Sequence, residues 1–239
     1  TSAWGPWRFA EAFARLNEGK IKKVFAWARF MNLLMGAALG LVVFLWCCDI
    51  YGPGAGLAAM AFTVTSPTIL AHTGVATVDA GFTLFFLLSL FLMMRFFEVP
   101  GIGRAVAAGA AFGAAQLSKF SAVILVPLVI IITAILIVRG AIGWKHGKKP
   151  VKATFSKFVL GEIICMVALL VAGLFFIHAG YLFRGSVTHL ESVARASKLM
   201  KKASQTPLAR IPLLLPNTYL RGLDLQLADA ERGEFPNYI

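Results

Sequence analysis

Six long stretches without a charged side chain constrain the fold of this 239-residue chain more than any other feature. They contain no Asp, Glu, Lys or Arg, and they cover residues 30–48, 50–78, 80–94, 105–118, 120–138 and 163–183. Only 14% of the residues are charged, whereas a soluble domain carries about 25%. A helix needs about 20 mostly apolar residues to cross a bilayer. We therefore predict an integral membrane protein.

The apolar stretches are predicted to be helices rather than strands. Inside lipid, backbone polar groups must be paired within the protein, which leaves helices and closed barrels. Strands of a membrane barrel alternate apolar and polar residues, but residues 123–132 are apolar without interruption. We predict an all-α, polytopic membrane protein with about six transmembrane helices. The predicted spans are residues 29–47, 56–72, 79–97, 104–118, 120–138 and 158–180.

Glycine and proline mark the interruptions and contacts of these helices. Residues 52–54 (GPG) are predicted to end the first helix. Pro67 and Pro127 fall within predicted spans, where they are expected to kink the helices. Gly109 and Gly113 have the GxxxG spacing that allows close helix–helix contact in lipid.

Orientation is predicted from the loop at residues 139–157. This loop holds six Lys or Arg residues and no acid, so the positive-inside rule places it in the cytoplasm. With six spans, the turn at 73–78, which precedes Asp79, and the turn at 117–120, which contains Lys119, then lie on the opposite, extracytoplasmic side. Residues 181–239 are predicted to lie there too.

The two ends of the chain differ from the helical bundle at 29–180. Residues 1–28 interleave cations with Trp and Phe, which predicts an interfacial amphipathic segment in contact with membrane lipids. Residues 181–239 are predicted to be an extracytoplasmic loop region without a core of its own. Within it, a capping box at residues 188–191 predicts a helix to about residue 202, after which prolines should prevent a long helix. We expect a piece truncated at both ends.

Several function classes lack support in the sequence. The net charge of +12 is spread over membrane-flanking segments, where anionic headgroups explain it more simply than nucleic acid. The sequence contains no P-loop, GxGxxG or HExxH pattern. Its three cysteines, Cys47, Cys48 and Cys165, have no metal-binding spacing and are expected to be packing residues.

Asp79 is the candidate functional residue that the apolar pattern isolates. It is the only acid between Asp49 and Glu98, and an ionisable group beside membrane helices is expensive to hold. One interpretation is a functional carboxylate. The other is a carboxylate that ends a helix and faces headgroups and water. The sequence alone does not choose between them.

An ordered set of motifs carries a resemblance to a known family. The motifs are residues 66–72 (SPTILAH), 76–80 (ATVDA), 116–122 (QLSKFSA), 215–223 (LPNTYLRGL) and 229–233 (DAERG). In this order and spacing the chain resembles phospholipid carrier-dependent glycosyltransferases of the protein O-mannosyltransferase and aminoarabinose-transferase type, which have the GT-C architecture. The later motifs resemble the extracytoplasmic loop of bacterial members.

The resemblance implies a reaction and roles for two residues, and the spacing of His72 from Asp79 adds a third candidate. A sugar would move from a polyprenyl-phosphate donor to an extracytoplasmic acceptor, at the bacterial inner (plasma) membrane. Asp79 matches the second acidic position of the family, a catalytic position that would place the acceptor or a metal ion, and Lys119 matches a lysine that would bind the lipid phosphate. His72 lies seven residues before Asp79 and is expected to help bind that phosphate. Whether a divalent metal ion takes part stays open.

The resemblance also has a gap. The family's first acidic residue, its usual candidate for the catalytic base, lies in the external loop directly after its first span, and the matching part would precede Thr1. A non-catalytic structural subunit of a larger membrane-protein complex, built on the same scaffold, therefore stays open as an alternative. A transporter is less well supported because no second half repeats the first.

Overall fold

The computed structural model describes residues 6–99, 101–141, 155–185, 187–193, 196–210 and 212–232. The cation-rich part of the 139–157 loop lies largely outside these residues. The chain divides into two compact units, Thr1–Leu84 and Phe85–Ile239. Both are helical, and the one sheet among the described residues is a two-stranded ladder in the second unit. The predicted all-α class is confirmed.

The first unit is built from helices α1 to α4 and the start of α5. Their bounds are Pro6–Leu16 (α1), Ile21–Tyr51 (α2), Pro53–Thr65 (α3), Pro67–Thr73 (α4) and Asp79–Glu98 (α5). Helix α2 begins at Ile21 rather than at residue 29, so the end of the predicted interfacial segment belongs to it. Its 31 residues span about 46 Å, which exceeds the roughly 30 Å hydrocarbon core of a bilayer.

Helices α3 and α4 form one bent pair. They meet at an angle of 59° at the Ser66–Pro67 junction. Pro67 is the first residue of α4, where its missing N–H is tolerated because the first turn of a helix has no intrahelical acceptor for it. The predicted kink at Pro67 is confirmed.

The second unit contains the remaining helices. Their bounds are Ile102–Ser118 (α6), Leu125–Ala141 (α7), Phe155–Gly180 (α8), Leu190–Val193 (α9), Lys198–Ser204 (α10) and Asn217–Arg232 (α11). Short 3-10 helices occupy Phe120–Ile124 and Pro207–Arg210. Strands β1 (Thr188–His189) and β2 (Pro212–Leu213) pair antiparallel. Pro127 lies in the first turn of α7, directly after the 3-10 helix, and the kink predicted there stays a prediction.

Glycines allow α6 and α8 to pack closely, as the GxxxG spacing predicts. A Cβ atom at Gly109 would lie 2.4 Å from the Leu169 carbonyl oxygen, and one at Gly113 would lie 2.7 Å from the Cβ of Phe176. Neither distance is possible for a real Cβ atom, so both positions require glycine at this helix separation. The predicted helix–helix contact is confirmed.

The structure does not confirm six membrane spans. Among the described residues, two helices are long and apolar enough to cross a membrane, α2 and α5. The bent α3–α4 pair is a third if it forms one span. Each of the six predicted spans coincides with helix, but α6 and α7 have 17 residues each, which is short for a full crossing.

The C-terminal region is more ordered than the sequence predicts. The predicted helix at 188–202 is wrong, because β1, α9 and α10 are separate elements there. Asp224 of α11 accepts hydrogen bonds from the backbone N–H groups of Ala196 (2.8 Å) and Ser197 (2.9 Å). A continuous helix would use those N–H groups itself. The region also shares a core with the bundle, formed by Ile177, Val193, Tyr219 and Leu220.

Candidate functional site

His72 and Asp79 form a pair at the junction of α4 and α5. His72 is in the last turn of α4, and Asp79 is the first residue of α5. The Nδ1 atom of His72 lies 3.4 Å from Oδ2 of Asp79. The His72 side chain is 50% exposed and that of Asp79 is 36% exposed. A carboxylate at a helix N-terminus is favoured by the helix dipole, and this one stays accessible to a ligand.

The turn between the two helices sets the distance between these side chains. Residues 74–78 form the turn predicted from the sequence. The hydroxyl of Thr77 donates to the carbonyl oxygen of His72 at 3.4 Å, and the hydroxyl of Thr83 donates to that of Asp79 at 2.9 Å. The first contact links the turn to the end of α4. The second lies within the first turn of α5 and stabilises the start of that helix.

Helix α2 holds this turn from the side. The buried Asn32 side chain donates through Nδ2 to the carbonyl oxygens of Val75 and Thr77, the latter at 2.8 Å. Four residues later, Gly36 faces the Thr73 side chain, where a Cβ atom would lie 2.5 Å from Cγ2 of Thr73. Residues four apart share a helix face, so one face of α2 contacts both α4 and the turn.

Lys119 lies at the turn between α6 and the following 3-10 helix. Its backbone is extended and ends α6, and its N–H donates to the Ala115 carbonyl oxygen at 3.2 Å. The nearby Gln116 side chain is buried, and its Nε2 donates to the carbonyl oxygen of Ala122 at 2.8 Å. The Gln116 side-chain amide thus bridges the residues on either side of Lys119.

Helix α11 packs directly against this turn. The Tyr219 hydroxyl donates to Oε1 of Gln116 at 2.8 Å, and Gln226 donates to the Ser121 hydroxyl at 3.1 Å. Gly222 lies so close to the Phe120 ring that a Cβ atom would be 2.1 Å from its Cζ atom. Burial, and secondly the neighbouring Tyr181, raises the pKa of Tyr219 to about 12, so this phenol is a neutral donor at physiological pH.

The three residues predicted from the sequence fall into two groups. His72 and Asp79 belong to the first unit and are brought together there. Lys119 belongs to the second unit, and its approach to Asp79 stays a prediction. Asn32 and Gln116 were missed. Each is a lone amide within an otherwise apolar stretch, which was the signal that could have identified them.

The carboxylate–imidazole pair can take up and hold a proton or contact a cation. Both side chains are polar, exposed and adjacent, which suits general base chemistry on a ligand hydroxyl. Among the described residues, no three His, Cys, Asp or Glu side chains are close enough to hold a metal ion. Within the part of the chain described, Asp79 and His72 are therefore a two-residue donor set.

Comparison with known proteins agrees with the first three motifs quoted above, those at residues 66–72, 76–80 and 116–122. A sequence profile of the dolichyl-phosphate-mannose-protein mannosyltransferase family matches residues 9–170, well over half of the chain and a range that includes His72, Asp79 and Lys119. No curated protein and no solved structure matches the chain. The chain therefore belongs to the dolichyl-phosphate-mannose-protein mannosyltransferase family and, with it, to the membrane glycosyltransferases of the GT-C type.

Proposed function

We propose that the protein transfers a sugar from a polyprenyl-phosphate carrier to an extracytoplasmic acceptor, with Asp79 as its catalytic carboxylate. The observation that carries this proposal is the His72–Asp79 pair, which lies half-exposed at a helix junction inside the family match. The family description names dolichyl-phosphate mannose, so a mannosyl polyprenyl phosphate is the first donor to test.

The proposed reaction is a displacement at the anomeric carbon. An acceptor hydroxyl oxygen forms a bond to that carbon, while the bond from the carbon to the phosphate oxygen breaks. The electron pair leaves with the lipid phosphate, and the acceptor proton goes to the Asp79 carboxylate. Positive charge near the phosphate oxygens stabilises the charge that develops there. In this proposal Lys119 supplies that charge, and His72 helps to bind the phosphate as a hydrogen-bond donor.

The contact between His72 and Asp79 gives the two roles a physical link. The Nδ1 atom of His72 lies 3.4 Å from the Asp79 carboxylate. A phosphate bound by His72 would therefore lie beside the carboxylate that accepts the acceptor proton.

The proposal requires Lys119 to approach Asp79, and cross-linking tests this requirement. In a variant of the full-length protein that lacks Cys47, Cys48 and Cys165, cysteines replace Asp79 and Lys119. A short bifunctional thiol reagent should link them within the chain. In the control variant, cysteines replace Asp79 and Lys198. Lys198 is exposed and belongs to helix α10. A shared phosphate site is wrong if the first pair cross-links no better than the control pair.

Transfer itself is tested with purified full-length protein in proteoliposomes that contain a radiolabelled mannosyl polyprenyl phosphate and a peptide acceptor. We expect label to move to the acceptor, and Lys119→Met to lower that rate by at least about tenfold. Lys198→Met is the matched control and should leave the rate unchanged. If the wild type fails to consume the donor, the enzyme hypothesis is wrong and the non-catalytic structural subunit is the better hypothesis.

A further inference from the structure

Asn32 is a buried polar side chain in the uncharged stretch of α2, a candidate membrane span. Its neighbours from residue 30 to residue 48 carry no charge, and its own side chain is buried. Burying an amide without hydrogen-bond partners costs about 1–3 kcal/mol by mutational measurements. An amide at this position is therefore expected to have a specific partner.

The partner is a single turn. Nδ2 of Asn32 donates to the carbonyl oxygens of Val75 and Thr77, 43 and 45 residues later in the chain. An Asn side chain has two N–H donors, and both are directed to this turn. The Val75 carbonyl also accepts a local hydrogen bond from the Thr77 N–H at 3.0 Å. The Asn32 side chain adds contacts that tie this turn to a distant helix.

This turn connects His72 to Asp79. Thr77 lies two positions before Asp79, and its hydroxyl donates back to the His72 carbonyl oxygen. The same face of α2 meets Thr73 at Gly36. Helix α2 therefore contacts the Thr73 side chain and the backbone of the 74–78 turn, both of which lie between His72 and Asp79 in the chain.

We infer that Asn32 is a positioning residue that fixes the geometry of the His72–Asp79 pair for catalysis. This inference rests on the proposed function. Removal of the Asn32 donors frees the 74–78 turn and shifts Asp79 relative to a bound acceptor. A misplacement of about 1 Å lowers catalytic rates about 100-fold. Because Asn32 does not touch the donor or the acceptor in this account, its loss should act on kcat and leave KM nearly unchanged.

Asn32→Asp and Asn32→Leu test the inference. Asp has the shape of Asn but sets a carboxylate oxygen against the two carbonyl groups, and Leu removes the donors without adding charge. Both should lower kcat about 100-fold, with KM within about twofold of the wild type. As the pH falls, the Asp variant should recover activity relative to the Leu variant, because a protonated carboxyl group donates one hydrogen bond.

Amide hydrogen exchange in nanodiscs supplies a readout that does not depend on activity. In both variants the amides of residues 74–78 should exchange faster than in the wild type, while the middle of α2 keeps its protection. Asn17→Asp is the matched control, since the Asn17 side chain donates locally to the Phe13 carbonyl oxygen, four residues earlier. It should change neither kcat nor exchange at the turn.

Three results decide the matter. A kcat within about twofold of the wild type in both variants overturns the positioning role. Loss of kcat without faster exchange at 74–78 overturns it as well, because Asn32 would then act in some other way. Faster exchange in the variants together with an inactive wild type refutes the proposed function instead. Asn32 would then position the turn without any role in catalysis.

Discussion

The Tyr219 hydroxyl donates a 2.8 Å hydrogen bond to Oε1 of Gln116, a residue 103 positions earlier in the chain. Both side chains are buried. Gln116 extends this hydrogen-bond chain, because its Nε2 donates to the carbonyl oxygen of Ala122, which follows Lys119 in the chain. The C-terminal helix α11 is thereby coupled to the turn that carries the proposed phosphate-binding lysine. In the first unit, Asn32 does the same for the turn before Asp79.

Tyr219→Phe should destabilise the second unit by about 1–3 kcal/mol, because it leaves Oε1 of Gln116 buried without that donor. Tyr51→Phe is the control, since Tyr51 is 76% exposed, and it should change stability by less than about 0.5 kcal/mol. Thermal unfolding in detergent measures both. Equal midpoints for the two variants would show that the hydrogen bond contributes nothing.

The same tyrosine gives a pH dependence. Its pKa is raised by burial from 10 to about 12 in the folded protein, so the unfolded chain loses this proton first. The stabilising contribution is complete below pH 10 and is lost as the pH rises towards 12. The difference corresponds to about 3 kcal/mol. Tyr219→Phe should therefore flatten the fall in stability across this pH window, and an unchanged curve would contradict the burial of the phenol.

The α6–α8 contact predicts opposite effects for two glycines of one helix. Gly→Ala within a helix normally stabilises by up to about 1 kcal/mol. At Gly103, where nothing lies within 4 Å of the added Cβ atom, Ala should be neutral or stabilising. At Gly109 the Cβ atom would meet the backbone of α8 at 2.4 Å, so Ala should destabilise. Unfolding midpoints compare the two variants directly, and a shared sign would rule out the close contact.

Orientation is tested by single-cysteine labelling in a variant without Cys47, Cys48 and Cys165. If the 139–157 loop is cytoplasmic, an impermeant reagent added outside should label position 204 and leave position 148 unlabelled until the membrane is opened. The opposite pattern would invert the orientation. Because α3 and α4 form a bent pair, labelling at position 75 also distinguishes a complete span from a re-entrant one.

Local sequence patterns predicted the parts of the fold that depend on neighbouring residues. The apolar stretches predicted helices, Pro67 predicted the bend, and Gly109 predicted the close contact. The missed features depend on contacts between distant residues. The separation of α9 from α10 follows from a carboxylate at Asp224, 28 residues after Ala196. The role of Asn32 follows from a turn more than 40 residues away.

The residues of the candidate site also divide into those that local sequence patterns predicted and those that depend on distant contacts. Asp79 and His72 were found because an acid and an imidazole stand out in an apolar region seven residues apart, and the turn between them brings them together. Lys119 was found from the family motif. Its relation to Asp79 depends on how two compact units meet, which no local pattern contains. Gln116 needed its partner Tyr219 in α11 before its role could be recognised.

Single-turnover sugar transfer by Asp79→Asn in the full-length protein tests the central claim most directly. The substitution keeps the shape of the side chain and removes its ability to accept a proton, and general base catalysis contributes about 100-fold to 10,000-fold. We predict a loss of at least about 100-fold, with wild-type amounts of folded protein in the membrane. Asp49→Asn, the same change on the exposed carboxylate of α2, should retain the wild-type rate. Transfer by Asp79→Asn at the wild-type rate would contradict the account and leave Asp79 a structural residue.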